Sequence, residues 1–247
     1  MNAKRTALVT GGMGALGQAI AHALDDAGHR VIVTCHRRGP ATQARLREHK
    51  AAGREFLAYA VDVADHASCR QLAEQLAADG LAVDILVNNA GLTRDASLRK
   101  MLPQDWTDVL RTNLDSMFNM TQPFVEGMTA RGWGRIVNIS SSVNGFKGAF
   151  GQTNYAAAKA GIHGFTKSLA LEVARKGVTV NTVSPGYLDS PMVSAVPPDV
   201  LRDNVLPQIP VGRLGKPQEI AALVAFICGD LAGFMTGSNV AMNGGQY

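Results

Sequence analysis

Short apolar segments rich in valine and isoleucine recur along this chain, and nearly every one is followed by a stretch of helical periodicity. RTALVT, RVIVTC, EFLAYAV, VDILVNN, GRIVNIS and VTVNTVS read as strands, with SNVAMNG as a last short one. Helices are predicted over Gly14–Ala27, Ala41–Ala52, Ala67–Ala78, Gln104–Arg131 with an internal break, Asn154–Lys176 and Pro217–Cys228. A strand that is apolar along its length is covered on both faces, which is the mark of a parallel sheet between helical layers. Right-handed crossovers then leave few topologies. The expected fold is α/β: a doubly wound, Rossmann-like parallel sheet in a three-layer α/β/α domain spanning residues 1–247. Ligands of such sheets bind beyond the carboxyl ends of the strands, so the chemistry is sought just after each one.

Composition narrows the function classes. The chain is 46% hydrophobic, enough for one sizeable core. Glycine and proline are spread evenly, without a linker, and no repeat of fixed period is visible. The apolar runs are too short and interrupted to span a membrane. The first strand begins almost at once, leaving no room for a signal peptide, so a cytoplasmic protein is expected. Cys35, Cys69 and Cys228 stand far apart, and the six histidines lack ligand spacing. Neither a disulfide scaffold nor a metal site is expected. A net charge of +4 suits an anionic ligand. No basic run is interleaved with aromatics, so nucleic acid is not expected as a partner.

The turn after the first strand reads TGGMGALG, Thr10 to Gly17. Its glycines permit a tight bend and close approach of backbone to a pyrophosphate, and the helix that follows points free N–H groups at the anion. Many strand–helix turns hold glycines. This one ends the first strand and opens a helix, the context a dinucleotide requires. Gly11, Gly12, Met13, Gly14, Ala15, Leu16 and Gly17 are therefore expected to bind cofactor. The second strand ends in TCHRRG. An NAD site usually places an acidic residue there for the ribose hydroxyls. Here Arg37 and Arg38 stand instead, and a guanidinium suits the 2′-phosphate of NADP. Either arginine fits that role, and a solvated helix start also uses such residues.

Tyr155 and Lys159 lie four apart in YAAAK, on one face of a predicted helix. A free phenol, with a pKa of about 10, is a poor proton donor or acceptor at neutral pH. A nearby ammonium favours the phenolate, which predicts a lowered pKa for Tyr155 and a role as proton donor. The spacing alone recurs by chance as a surface contact. Its position behind Ser140, Ser141 and Ser142, opening the helix after the fifth strand, sets it apart.

Taken together, the glycine turn, NNAG at Asn88–Gly91, the serines before YAAAK and SPG at Ser184–Gly186 resemble the short-chain dehydrogenase/reductase family over essentially the whole chain. GLTRD, GRIVNIS, GQTNYAAAKAG and the terminal NGG are further similar to reductases of 3-ketoacyl thioesters, acetoacetyl-CoA reductases of polyhydroxyalkanoate synthesis among them. The resemblance implies a tetrad: Tyr155 as acid, Lys159 on the nicotinamide ribose, Ser142 on the substrate carbonyl by its spacing from Tyr155, and Asn113 organising a water near Lys159. It also implies that Asn89, Ala90 and Gly91 lie against the cofactor with Tyr155 and Lys159. Asp62 and Val63 would sit near adenine, and Pro185 and Gly186 would frame the nicotinamide. Three features depart from the family pattern. Ala15 replaces a glycine of the phosphate turn. The serine run is one residue longer than usual. Ser190, Pro191 and Met192 replace the usual threonine segment after SPG.

The implied reaction is NADPH-dependent reduction of a short 3-ketoacyl-CoA. Asp95, Ser142, Phe150, Gln152 and Tyr187 are expected to face the substrate. Residues 187–209, interrupted by prolines, are expected to form a lid. Arg99, Lys100 and Lys147 suit an anionic coenzyme A or acyl carrier protein, though solvated surface charge explains any single one of them better. Apolar positions beyond one core face on the helices over 104–131 and 154–176 fit self-association, which the resemblance makes a homotetramer. Alternatives are a 3-oxoacyl-acyl-carrier-protein reductase, a sugar or secondary-alcohol dehydrogenase on the same fold, and a non-catalytic NADP sensor.

Overall fold

The computed structural model describes residues 4–190, 193 and 197–246. The chain runs β1 (Thr6–Val9), α1 (Ala15–Asp26), β2 (Arg30–Cys35), α2 (Pro40–Ala51), β3 (Leu57–Ala60), α3 (His66–Ala78) and β4 (Ile85–Asn88). It continues through α4 (Pro103–Leu110), α5 (Ser116–Ala130), β5 (Gly134–Ile139), α6 (Thr153–Val173), β6 (Val178–Pro185), α7 (Pro217–Cys228) and β7 (Asn239–Met242). The strands form one seven-stranded sheet in the order β3-β2-β1-β4-β5-β6-β7. Every pairing is parallel, with Val9 of β1 lying between Val33 of β2 and Val87 of β4. β1, β4, β5 and β6 are buried at every position, as a sheet covered on both sides requires.

Two apolar clusters make the layers. Ile20 and Leu24 of α1 meet Val224 and Ile227 of α7 on one face, with Leu46 of α2 beside them. Leu72 and Leu76 of α3, Met120 and Phe124 of α5 and Ala170 of α6 fill the other. This is the three-layer, doubly wound arrangement expected from the sequence. The strand order reverses at β1 and β4, so the crevice that can take a ligand opens beyond their carboxyl ends. The break predicted within 104–131 is a π-helical turn, Arg111–Asp115, joining α4 to α5. EFLAYAV shortens to the four residues of β3. The proline-rich stretch that reads as irregular coils into short helical turns over 198–208. No helix among the described residues is long and apolar enough to cross a membrane.

Below α2 the face is less apolar. His22 of α1 and His49 of α2 hydrogen-bond through Nε2 and Nδ1 at 3.2 Å, and both rings pack on Phe56. Such a contact needs one ring to donate and the other to accept, so at least one must be neutral. Burial lowers the pKa of both, and Arg54, which bridges Asp25 and Asp26 at 2.7 Å each, opposes their protonation by charge. Burial likewise lowers His29 and His163. The unfolded chain thus takes up protons near the ordinary value of 6.5 while the folded chain resists them. Stability is complete above that value and falls as pH drops through it. Thermal midpoints followed by circular dichroism from about pH 7.5 to about pH 5.5, across the histidine range, should decline. The decline should be shallower in a His22→Gln/His49→Gln variant.

Candidate active site

Beyond the carboxyl ends of β4, β5 and β6 lies a cavity of about 430 Å³ bordered by Asn89, Ser141, Tyr155, Lys159, Pro185 and Tyr187, among others. A second, of about 600 Å³, lies beyond β2 and β3, with Thr34, His36, Asp62 and Val63 on its wall. Gly91 borders both. Two adjoining chambers across the switch point suit the two halves of a dinucleotide.

The glycine turn lies over this junction. Gly11 has φ of +61°, a left-handed conformation that disfavours a side chain. A Cβ at Gly17 would collide with the Gly11 carbonyl and lie 2.8 Å from the Gly12 backbone. α1 therefore packs directly against the turn, and Gly12 is buried beneath it. Met13 and Leu16 are half-buried against the core, while Gly14 and Ala15 stand exposed at the helix start. The methyl of Ala15 is thus accommodated. Gly14 caps α1 without a side-chain hydrogen bond, which leaves the first-turn amides for an anion.

Thr10, the first residue of the turn, has a role that the motif did not indicate. Its Oγ1 accepts the N–H groups of Asn89 and Ala90 at 2.9 Å each, and Asn89 Nδ2 donates to its carbonyl at 2.9 Å. One hydroxyl thereby ties the phosphate turn to NNAG. On the far side, Asp62 Oδ1 accepts the Ala64 N–H at 2.9 Å, and Asn119 donates to the Val63 carbonyl at 3.0 Å. Arg37 and Arg38 are both exposed; Arg38 lies 5.5 Å from the Tyr59 ring. Neither borders the second cavity, whereas His36 does.

α6 brings Tyr155 and Lys159 to the same cavity wall. Lys159 is buried, and its Nζ donates to the Ile139 carbonyl at the end of β5 at 2.7 Å. Burial lowers its pKa to about 8. Nζ lies 5.5 Å from the Tyr155 ring centroid. The expected acidification of Tyr155 is not found. Burial raises the phenol to about 12, and the Asp95 carboxylate adds to the rise. The ammonium is directed at a carbonyl and not at the phenol, so in this state Tyr155 is a neutral hydroxyl.

Neighbouring polar groups seat the helix that carries these two side chains. Asn154 donates to the carbonyls of Arg94 and Asp105 at 3.0 and 3.3 Å and accepts the Tyr155 N–H at 2.7 Å. Beneath, Asn88 donates to Asn138 and Thr121, and Asn138 donates to Thr166 at 2.9 Å. Thr182 donates to Thr166 at 2.7 Å. This buried network joins β4, β5, β6, α5 and α6. Asn154, Asn138 and Thr166 were not singled out by sequence. For Asn138 the signal was a polar residue inside a strand buried at every position; Asn154 and Thr166, on α6, carried none.

Asn113 lies in the first π turn and is fully buried. Its amide is spent on Leu92, accepting that N–H at 3.0 Å and donating to that carbonyl at 2.8 Å. In this structure its side chain pins the loop after NNAG. Gln152 donates to Asp95 at 2.8 Å, and both border the cavity with Tyr187, Pro185 and Gly186. Phe150, expected at the substrate, is instead 95% exposed and away from that wall. The structure also departs from the expectation for Ser142, which is fully buried with its Oγ unpartnered and does not border the cavity. Ser140 and Ser141 do border it. Of the expected lid, Tyr187, Leu188, Ser190 and Val193 border the cavity; residues 191–192 and 194–196 lie outside the described residues. Arg99, Lys100 and Lys147 are exposed.

Residues 5–200 match the family described as short chain dehydrogenase. An acetoacetyl-CoA reductase of Cupriavidus necator is 51% identical over 244 residues, covering 99% of this chain and 98% of the relative. One from Rhizobium meliloti is 51% identical over 243 residues, with 98% of each chain covered. A 3-oxoacyl-acyl-carrier-protein reductase of Escherichia coli is 44% identical over 243 residues, covering 98% of this chain and 97% of the relative. Matched over most of its length, the chain belongs to the short-chain dehydrogenase family and is an oxidoreductase that uses a nicotinamide cofactor.

Proposed function

We propose that the protein reduces acetoacetyl-CoA, or a similarly short 3-ketoacyl-CoA, to the 3-hydroxyacyl-CoA with NADPH, as in polyhydroxyalkanoate synthesis. The observation that carries this reading is Tyr155 and Lys159 on one wall of the cavity between NNAG and SPG, in a chain half identical to acetoacetyl-CoA reductases over nearly its full length. The cradle fits the cofactor: glycine at 11, 12 and 17 lets the turn, β2 and α1 close up, since a Cβ at any of them would come within 3.0 Å of Ala90, Val33 or the turn's own backbone, and the first-turn amides of α1 stay free for a pyrophosphate. Asn89, Ala90, Gly91, Pro185 and Gly186 would hold its nicotinamide end, and Asp62 and Val63 its adenosine end.

When bound, NADPH supplies the hydride to the ketone carbon. The chain's own residues handle the oxygen. Negative charge develops there, and hydrogen-bond donors fixed beforehand stabilise it. A phenol held neutral to about 12 retains its proton at physiological pH, the form a reduction needs. Tyr155 passes that proton to the alkoxide. The resulting phenolate is stabilised by the Lys159 ammonium beside its ring, anchored at Ile139. Asn113 acts here as a positioning residue, holding the loop that carries Gly91 and Leu92. Asp95, Gln152 and Tyr187 would meet the acyl group.

The absence of an acidic residue at the end of β2, with Arg37 and Arg38 following, supports NADPH over NADH. Exposed Phe118 of α5 and Leu171 of α6 support a homotetramer, with the cytoplasm as its compartment. A second reading keeps the chemistry and changes the carrier to acyl carrier protein. The E. coli relative and exposed Arg99, Lys100 and Lys147 favour it. Comparing rates on acetoacetyl-CoA with those on the carrier-protein thioester separates the two, and a faster thioester rate would overturn the coenzyme A reading.

Absorbance assays should show NADPH strongly preferred over NADH. An Arg37→Ala/Arg38→Ala variant should raise KM for NADPH about 10- to 100-fold, the effect of about 1.5–3 kcal/mol for a charge-assisted hydrogen bond, while KM for NADH stays unchanged. Tyr155→Phe should lower kcat by about 10²- to 10⁴-fold, the range for loss of a proton donor, with NADPH binding retained. The reduction rate should fall as pH rises through about 8, where Lys159 loses its charge; a pH profile of kcat checks this.

A further inference from the structure

The chain between β5 and Tyr155 carries one serine more than the resemblance leads one to expect, and counting from the two ends selects different residues. Counting back from Tyr155 selects Ser142. The structure puts that side chain at the start of a π-helical turn, Val143–Lys147, with a fully buried hydroxyl that meets neither the cavity nor any partner. The turn closes with the Gly148 N–H on the Val143 carbonyl, five residues back. A π turn holds one residue more than an α turn over nearly the same length of axis. It therefore absorbs an added residue and leaves Tyr155 in place, while the serine reaching a given point shifts by one.

The neighbouring hydroxyls distinguish themselves by what they bond. Ser140 Oγ donates to the Lys159 carbonyl at 2.8 Å and meets His163 Nε2 at 3.0 Å, so it is spent on holding α6 against β5. Ser141 is half-buried on the same cavity wall as Tyr155 and Lys159. Its Oγ accepts the Asn144 N–H at 3.3 Å, and its carbonyl accepts the Gly145 N–H at 2.8 Å. The hydroxyl is thus oriented through its lone pairs, and its proton has no acceptor among the described residues.

We propose that Ser141, and not Ser142, donates the hydrogen bond that holds the substrate carbonyl oxygen. No bond to Ser141 forms or breaks: its proton stays on Oγ while the proton of Tyr155 moves to the substrate. Ser142 is a buried spacer whose hydroxyl gains nothing from the fold. The inference rests on the ketone-reductase reading above.

The test compares Ser141→Ala, Ser142→Ala and Ser141→Thr in the full-length protein. Ser141→Ala should lose kcat about 100-fold, as for an oxyanion donor, with thermal midpoint and NADPH affinity by fluorescence titration unchanged. Ser141→Thr, which keeps a hydroxyl, should recover part of the loss. Ser142→Ala should keep kcat within about twofold and hold or raise the thermal midpoint, since it deletes an unsatisfied buried group. Loss of turnover in Ser142→Ala with Ser141→Ala active overturns the assignment, and so does equal loss in both. Wild-type turnover tests the parent reading separately. Wild-type protein idle on acetoacetyl-CoA but active on ethyl acetoacetate defeats the coenzyme A substrate, and the serine comparison is then read on that ester. Wild-type protein idle on both overturns the two proposals together.

Discussion

A single buried cation organises the catalytic end of this molecule. Lys159 gives its ammonium to the carbonyl of Ile139, the last residue of β5. A charge withdrawn from water is tolerable only when such dipoles receive it. The contact needs α6 seated against β5 to within a hydrogen bond. Ser140 bonding back to the Lys159 carbonyl and the chain of Asn138, Thr166 and Thr182 provide that seating. Were α6 to slide by a fraction of a turn, the ammonium would lose its carbonyl and Tyr155 would leave the wall. Positioning of the helix and solvation of the charge are therefore one requirement, met by one set of bonds.

The same burial affects the two side chains in opposite ways. It disfavours charge on each, so the pKa of the lysine falls to about 8 and that of the tyrosine rises to about 12. A phenol that resists ionisation alone, next to a cation able to stabilise its anion, stores a proton it can release only when a stronger base forms beside it. A ketone oxygen receiving a hydride is such a base, and the bare ketone is not.

Much of this was legible in the sequence because it depends on periodicity and on glycine. Strands buried on both faces must be apolar throughout, which made the parallel sheet readable, and the turn from Thr10 to Gly17 announces itself by residues that lack a Cβ. Tyr155 and Lys159 were found because a helix repeats every three to four residues. What spacing could not reveal is how a loop winds. The identity of the cavity-facing serine turns on one π-helical turn, and the outward swing of Phe150 on backbone angles that no residue type dictates. The buried asparagines were hidden for a different reason. Their partners stand dozens of positions away, Asn88 and Thr166 for Asn138, Arg94 and Asp105 for Asn154, and spacing along the chain does not show them.

Thr10 has a role that reaches beyond its own strand. Because its hydroxyl grips both amides of Asn89 and Ala90, the two chambers are fixed at one separation before any ligand arrives. The scaffold thus acts as a ruler: a dinucleotide of the right span meets both ends with little adjustment, and a mononucleotide can satisfy only one. Such preorganisation trims the entropy lost on association, and it comes from a side chain that borders neither chamber.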